Sequence, residues 1–258
     1  MGINLFGESS QLGNLLLLLG VALIKSGAGC ARIISNISRI ANAYGYEANV
    51  DLGTRHISIS LHMEGKENIF SGSKSIATLP GANFKVITAI SKLSWDVADS
   101  KINLDELDTL TRNAIDFPHY KRSLILLLTG IAGSAFCYIF GGNSIEMGIT
   151  FLATLFGLWI KQEMVKKSFN PFLVTYVSAI SAALVIGMFW KIGVGTTLEH
   201  AFATCILFLI PGVLLINSFL DLLDGYIING IDRGFNALMH AFSIAAGLAT
   251  VIYFFKVV

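Results

Sequence analysis

The chain has 258 residues, a formal net charge of +1, 54% hydrophobic residues and only 14% charged ones. Soluble domains carry about 25% charged residues, so this composition, with a mean hydropathy of +0.68, excludes an ordinary water-soluble globule. The near-neutral balance and the lack of a basic tract exclude a nucleic-acid binder. The charges are unevenly placed. Residues 1–122 hold 12 of the 18 Lys/Arg and 11 of the 17 Asp/Glu, whereas the other 136 residues hold six of each. The first part therefore reads as a soluble domain and the second as a bilayer domain. Cys30, Cys137 and Cys205 form no CxxC pair and read as small buried thiols.

Leu12 to Ile24 is apolar but only about 13 residues long, short of the ~20 that a membrane span needs. No basic residue precedes it and Glu8 is acidic, which speaks against a signal peptide. Ser26-Gly27-Ala28-Gly29-Cys30 matches a lipoprotein cleavage site only loosely, because Gly27 stands where a large aliphatic residue belongs. The segment reads as a buried amphipathic helix. Ile33, Ile37, Ile40 and Tyr44 then recur at helical spacing, and Asn42 to Gly45 ends that helix. Ile57, Ile59, Leu61 and Met63 alternate with His56, Ser58, Ser60 and His62, the period of a half-buried strand. A shorter strand precedes it through Ala48, Val50 and Leu52, and a third is expected over Lys66 to Phe70, entered through Gly65. His56 and His62 share the polar face; solvated histidines are the simpler reading and a metal pair the rarer one. Val86, Ile90, Leu93 and Val97 predict a further helix. Asn103, with Glu106 three residues on, predicts the cap of another, whose buried face is Leu107, Leu110 and Ala114. Pro118 closes a small α+β domain, residues 1–118. It has no phosphate loop, Gly-x-Ser-x-Gly or His-Glu-x-x-His, and no cofactor or metal site is expected.

The rest of the chain, 119–258, reads as an α-helical polytopic membrane domain of about five transmembrane helices, near 123–142, 145–160, 171–190, 200–220 and 235–255. With the N-terminal domain cytoplasmic, Lys161, Lys166, Lys167 and Arg233 fall in cytoplasmic loops, and only Lys191 and Lys256 fall outside. The positive-inside bias therefore favours an N-in, C-out topology. Ala179, Ala183 and Gly187 repeat at four-residue spacing, as do Gly133, Cys137 and Gly141, and Ser243 and Gly247. Such faces let helices pack closely.

The fourth span is interrupted halfway by Pro211-Gly212. Proline removes a backbone hydrogen bond, and a broken helix in a membrane is either a plain kink or a way to expose backbone to substrate. Asn217 and Asp221 follow four residues apart on one helix face. Asp224, Gly225, Gly230, Asp232 and Arg233 make a polar return before the last span. Asp221 could pair with Arg233 or handle protons, or be an ordinary interfacial charge. Pro211, Gly212, Asn217, Asp221 and Arg233 are the leading candidates for a substrate or ion pathway. Glu146, Glu163 and Asp224 are weaker ones, with Glu146 at the outer boundary and Glu163 at the inner.

Leu209-Ile210-Pro211-Gly212-Val213-Leu214-Leu215-Ile216-Asn217, followed by Asp221, Gly225, Gly230 and Arg233, resembles the signature of the threonine/serine exporter (ThrE-like) family. Leu23-Ile24-Lys25-Ser26-Gly27-Ala28, the helix after it and the Ser-rich strand resemble that family's cytoplasmic domain, so the resemblance covers nearly the whole chain. One departure is Leu214, where the family places a second proline. Five spans instead of about ten make the chain similar to the larger component of the family's split form. The resemblance implies a small integral-membrane partner of the same family, location in the inner (plasma) membrane of a prokaryote, and export of threonine and serine or of C4 dicarboxylates such as succinate. An odd span count puts the termini on opposite sides, which independently suits an inverted partner; the number of subunits, and any higher oligomer, stays open.

The leading function is thus a secondary exporter of small polar metabolites, since no ATP-binding motif is present. The scarce membrane cations weaken the dicarboxylate option, because a doubly charged anion would need helix N-termini, Arg233 or the partner. A sensor or gating protein, with the soluble domain binding a metabolite, is the second reading. A membrane enzyme is the third: Asp224-Gly225 hints at a lipid phosphotransferase, but Ile228-Asn229 replaces the Ala-Arg such enzymes need.

Overall fold

The structure is a computed structural model describing residues 2–63, 66–77, 81–100, 102–116, 120–194 and 198–256. Gly65 and Pro118, expected to mark a strand entry and a domain end, lie outside the described residues. The chain falls into two compact units: Met1–Pro118 with Val213–Gly234, and His119–Gly212 with Phe235–Val258.

In the first unit, helix α1 runs over Gly2–Lys25 and α2 over Cys30–Ala43. Strands β1 (Glu47–Leu52), β2 (His56–Met63) and β3 (Lys66–Ser75) form an antiparallel sheet in the order β1-β2-β3. Helices α3 (Phe84–Asp99) and α4 (Leu104–Ile115) follow. The period-two pattern of β2 is realised: Ile57, Ile59 and Leu61 are at most 1% exposed, opposite Leu52, Val50 and Ala48 of β1. The third strand runs five residues past the expected end at Phe70. Ser71, Gly72 and Ser73 carry no hydrophobic signal, yet their backbones continue the ladder, with Gly72 opposite Ile59.

Helix α1 is longer than the apolar run that suggested it; residues 2–11 hold no proline to stop it. Leu12, Leu16, Leu19 and Leu23 are all buried and join the core formed by α2, the sheet, α3 and α4. A Cβ on Gly13 would collide with the Phe70 ring, and one on Gly20 with Ile57. The glycines let the helix lie close to the sheet. By length and apolarity alone Gly7–Lys25 also qualifies as a membrane span, although 56% of its most apolar stretch is buried inside the protein. Asn103 caps α4 as expected, accepting from the Glu106 N–H at 2.8 Å.

In the second unit, α5 spans Arg122–Ile139, α6 Ser144–Lys166 and α7 Pro171–Ile192. A short helix α8 (Glu199–Thr204) leads into a 3-10 turn at Leu207–Leu209. After the break at Ile210–Pro211 come α9 (Gly212–Leu223) and α10 (Ile227–Phe255), of which residues 213–234 belong to the first unit. Five helices are long and apolar enough to cross a membrane: α1 from Gly7, α5, α6, α7 and α10. The bent pair Glu199–Leu209 and Gly212–Leu223 qualifies jointly as one more. The fourth expected span is therefore two pieces rather than one helix over 200–220. The second span does not stop at Ile160 but continues to Lys166. Lys161, Gln162, Glu163 and Met164 are good helix formers, so Lys161 and Lys166 are helical residues and not loop residues. The last helix begins at Ile227, eight residues before its expected start.

Small residues set the packing of this unit. Ala179, Ala182, Ala183 and Ile186 of α7 are fully buried. A Cβ on Gly247 of α10 would lie 2.8 Å from the Ala179 Cβ and 2.9 Å from the Tyr176 carbonyl, so the two small-residue faces read from the sequence meet each other. Asn170 and Pro171 start α7, and Gly193, at φ +77°, ends it.

Candidate functional site

The sequence candidates divide into groups. Pro211 and Gly212 form the break itself: the Gly212 N–H turns back to the Ile210 carbonyl at 2.9 Å, and α9 restarts there. Asn217, Asp221 and Arg233 come together within the first unit, around one turn of backbone. The Asn217 amide donates to the Gly27 carbonyl at 2.8 Å, the Arg233 guanidinium donates to the Ala28 carbonyl at 2.8 Å, and Asp221 Oδ1 accepts the Cys30 N–H at 2.9 Å. Arg233 Nε is 3.1 Å from Asp221 Oδ2, an ion pair whose N–H is out of line for a hydrogen bond. Asp221 is 1% exposed. Next to this cluster the Asn229 amide donates to the Leu52 carbonyl at 2.8 Å.

The chemistry follows from the helix rule. Helix α2 begins at Cys30 after Gly29, a residue with no side chain to cap it. The first N–H groups of a helix have no internal partner and carry partial positive charge. Asp221, 191 residues later, supplies the missing acceptor and a full negative charge. Arg233 neutralises that charge and takes the neighbouring carbonyl. The buried turn at residues 27–30 is thus satisfied from outside its own segment, as buried backbone must be. Burial, and then the Asp221 charge, push the Cys30 thiol up to about 12, so it is a protonated, inert group at neutral pH. The opposite faces of α9 and early α10 carry exposed Ile216, Phe219, Leu223, Ile228 and Ile231.

The remaining candidates stand apart from this cluster. Asp224 is exposed in the turn that Gly225 makes at φ +84°. Glu146 and Glu163 occupy opposite ends of α6, about 26 Å apart at 1.5 Å per residue. Glu146 is 1% exposed and closes a capping box with Asn143. Its second oxygen lies 3.2 Å from Nδ1 of His200 at the start of α8. Glu163 pairs with Arg122 at 2.8 Å and Lys166 at 3.5 Å. These two acids have specific structural partners within the second unit.

Three features escaped the sequence reading. His200 was not singled out. His240 lies in an apolar helix, and its Nδ1 sits 2.8 Å from the Thr175 hydroxyl. Lys161, counted only as a loop cation, lies inside α6 beside the Phe208 ring. The available signal was a titratable residue inside an apolar helix, which is costly unless it has work to do.

The family model described as "Putative threonine/serine exporter" matches residues 14–255. The protein named "Probable succinate transporter subunit YjjP" from Klebsiella aerogenes is 25% identical over 213 residues, covering 82% of this chain and 81% of that protein. The protein of the same name from Escherichia coli K12 is 24% identical over 216 residues, covering 83% of each. No solved structure matches the chain.

Proposed function

The chain belongs to the threonine/serine exporter family, a family of membrane exporters and not of enzymes, and from that premise we propose that it is the larger subunit of a two-component secondary transporter. In this reading it exports a small carboxylate-bearing metabolite, either threonine and serine or a C4 dicarboxylate such as succinate, across the inner membrane of a prokaryote. Residues 1–118 form its cytoplasmic domain, the membrane domain follows from 119, and a small integral-membrane protein of the same family completes the transporter. Similarity to proteins named as succinate transporter subunits, over more than four-fifths of both chains, supports the subunit and dicarboxylate parts.

The observation that carries the reading is the break at Ile210–Pro211 within an otherwise apolar span, followed within 22 residues by a buried ion pair, Asp221–Arg233. Interrupted helices are how transporters present polar groups in a bilayer. Efflux of labelled threonine, serine and succinate from cells tests it, comparing this chain alone, the chain with its small partner, and the pair carrying Pro211→Leu. Efflux that needs both chains and falls in the variant at equal expression is expected. Transport by this chain alone would remove the partner, and efflux of none of the three would remove the substrate class.

A second reading, gating by the N-terminal domain, is favoured by one specific observation. Asn217, Asp221 and Arg233 all hold the turn at residues 27–30, so a ligand that moved α2 would act directly on the segment that follows the break.

A further inference from the structure

The buried face of α6 carries Glu146, Thr150 and Thr154 at four-residue spacing, each at most 1% exposed. Four residues rise about 6 Å along a helix and stay near one face. Glu146 is held at the end of this row: Oε2 accepts the Asn143 N–H at 3.0 Å, and Oε1 lies 3.2 Å from His200 Nδ1. The His200 side chain is 37% exposed, so the pair touches water on one side and the buried row on the other. Thr150 and Thr154 differ from the hydroxyl residues around them. Six other hydroxyls of this unit donate to the carbonyl four residues back, at Thr175, Ser178, Ser181, Thr204, Ser243 and Thr250. The hydroxyls of Thr150 and Thr154 have no partner. A buried polar group left unpaired is costly, and its presence calls for something that it binds.

Small residues of α5 lie along this row. A Cβ on Gly133 would fall 2.5 Å from the Thr154 hydroxyl oxygen, and one on Gly141 would fall 3.5 Å from His200 Nε2. The Gly133–Cys137–Gly141 face read from the sequence therefore runs from Thr154 to the Glu146–His200 pair. At Thr154 the row opens on a cavity of about 130 Å³. Thr129 of α5, Thr204 of α8, and Leu207 and Phe208 of the 3-10 turn before the break also bound it. The space equals that of about four water molecules in the liquid, and the three threonine hydroxyls are the polar partners that buried water needs.

We propose that Glu146 and His200 bind the coupling proton of the exporter, and that Thr150, Thr154 and water in the cavity pass it along α6 to the helix break. The proposal rests on the exporter reading above and names its coupling ion and that ion's route. A proton arriving as hydronium takes the carboxylate–imidazole pair from one negative charge to none. The pair then gives its proton to water between it and Thr150. A hydroxyl accepts a proton on its oxygen and releases its own, so each threonine ends unchanged. Successive members of the row are about 6 Å apart, which one water spans with two hydrogen bonds. The cavity water takes the proton as hydronium and releases it towards the inner side. Chains of Glu and His side chains carry protons in this way in membrane proteins. Sodium fits less well, because a hard cation needs several oxygen ligands and the one carboxylate here is already engaged. The other titratable groups on the elements around the pair are the buried thiols of Cys137 and Cys205 and the exposed Lys191, Glu199 and Lys256. Among the described residues, none of these charged groups stands within ion-pair distance of Glu146 or His200.

The test uses the full-length chain with its small partner in proteoliposomes, loaded with labelled threonine, serine or succinate and a pH-sensitive dye. An acid bath outside should drive efflux and acidify the lumen together in the wild type. Glu146→Gln keeps an oxygen for the Asn143 N–H, so the capped helix start survives. This variant should still exchange labelled for unlabelled substrate at equal pH, but lose both the pH-driven efflux and the lumen acidification. Thr154→Val should behave in the same way, Thr154→Ser should restore both, and Glu199→Gln should match the wild type. Exchange at equal pH separates lost coupling from lost folding. If the wild type moves none of the three substrates, the exporter reading fails and the proton site with it. If the wild type moves them without acidifying the lumen, or follows a sodium gradient instead, only the site is overturned. Full coupling in Glu146→Gln or in Thr154→Val overturns it equally.

Discussion

Replacing Asp221 separates a structural clamp from a transport residue. In Asp221→Asn the side chain keeps an oxygen for the Cys30 N–H, now 2.9 Å away, but loses the charge facing Arg233 at 3.1 Å. Removing one member of a buried ion pair costs about 3–5 kcal/mol. The Arg233 side chain is 16% exposed and keeps the Ala28 carbonyl, which places the loss at the low end, about 3 kcal/mol. Asp221→Leu also orphans the first N–H of α2, adding about 1–3 kcal/mol. At about 2–4 °C per kcal/mol for a chain approaching this size, Asp221→Asn should melt about 6–12 °C below the wild type, and Asp221→Leu lower still. Thermal unfolding in detergent, followed by tryptophan fluorescence, measures this. The double variant Asp221→Leu/Arg233→Met leaves no stranded charge, so its loss should be smaller than the sum of the single losses by about 3 kcal/mol. Melting of both Asp221 variants within about 2 °C of the wild type, or strict additivity in the double variant, would refute the clamp. Abolished efflux with an unchanged melting temperature would return Asp221 to the translocation pathway.

The Cys30 thiol should resist maleimide at pH 8 in the folded protein and react once the chain is unfolded. Its proton affinity is raised on folding, so its contribution to stability is complete below the ordinary thiol value of about 8.5; it is lost as pH rises through about 12. Asp221→Asn removes one of the groups that raise it and should speed the labelling, as mass spectrometry can follow; equal rates would show that burial alone protects it. Among the membrane helices, Gly247→Ala should destabilise the second unit by about 1–3 kcal/mol, because the new methyl would press on the Tyr176 carbonyl and Ala179. Gly148→Ala on α6 meets nothing within 4 Å and should stabilise by about 0.5–1 kcal/mol. If the two melting shifts have the same sign, the close contact between α7 and α10 is wrong.

Local pattern carried a good deal of this protein. The alternation of β2, the spacing of α2 and α3, the cap at Asn103 and the uncharged runs of the later helices are all properties of adjacent residues. A sequence records them directly, because helix and strand periods are set by backbone geometry. The break at Pro211 was equally visible, since proline's lost N–H is a property of one residue. The pairing of Asn217, Asp221 and Arg233 was partly visible, as a four-residue spacing with a basic residue downstream.

What those three residues hold was not visible. The Gly27–Cys30 turn lies almost 200 residues earlier in the chain, and nothing local to either segment says that they meet. The same is true of Glu146 with His200 and Thr175 with His240, which are joined only through packing of separate helices. Lys161 shows the reason most plainly. Sequence counted it as one loop cation among several, because composition cannot tell a charge in water from one enclosed by protein. Only the tertiary structure extends α6 to Lys166 and commits Glu163 to Arg122 and Lys166, which leaves Lys161 on a helix with no ion-pair partner among the described residues. The sequence determined which segments are helices and which can enter a bilayer; the packing of distant segments decided which of its few charges pair with one another.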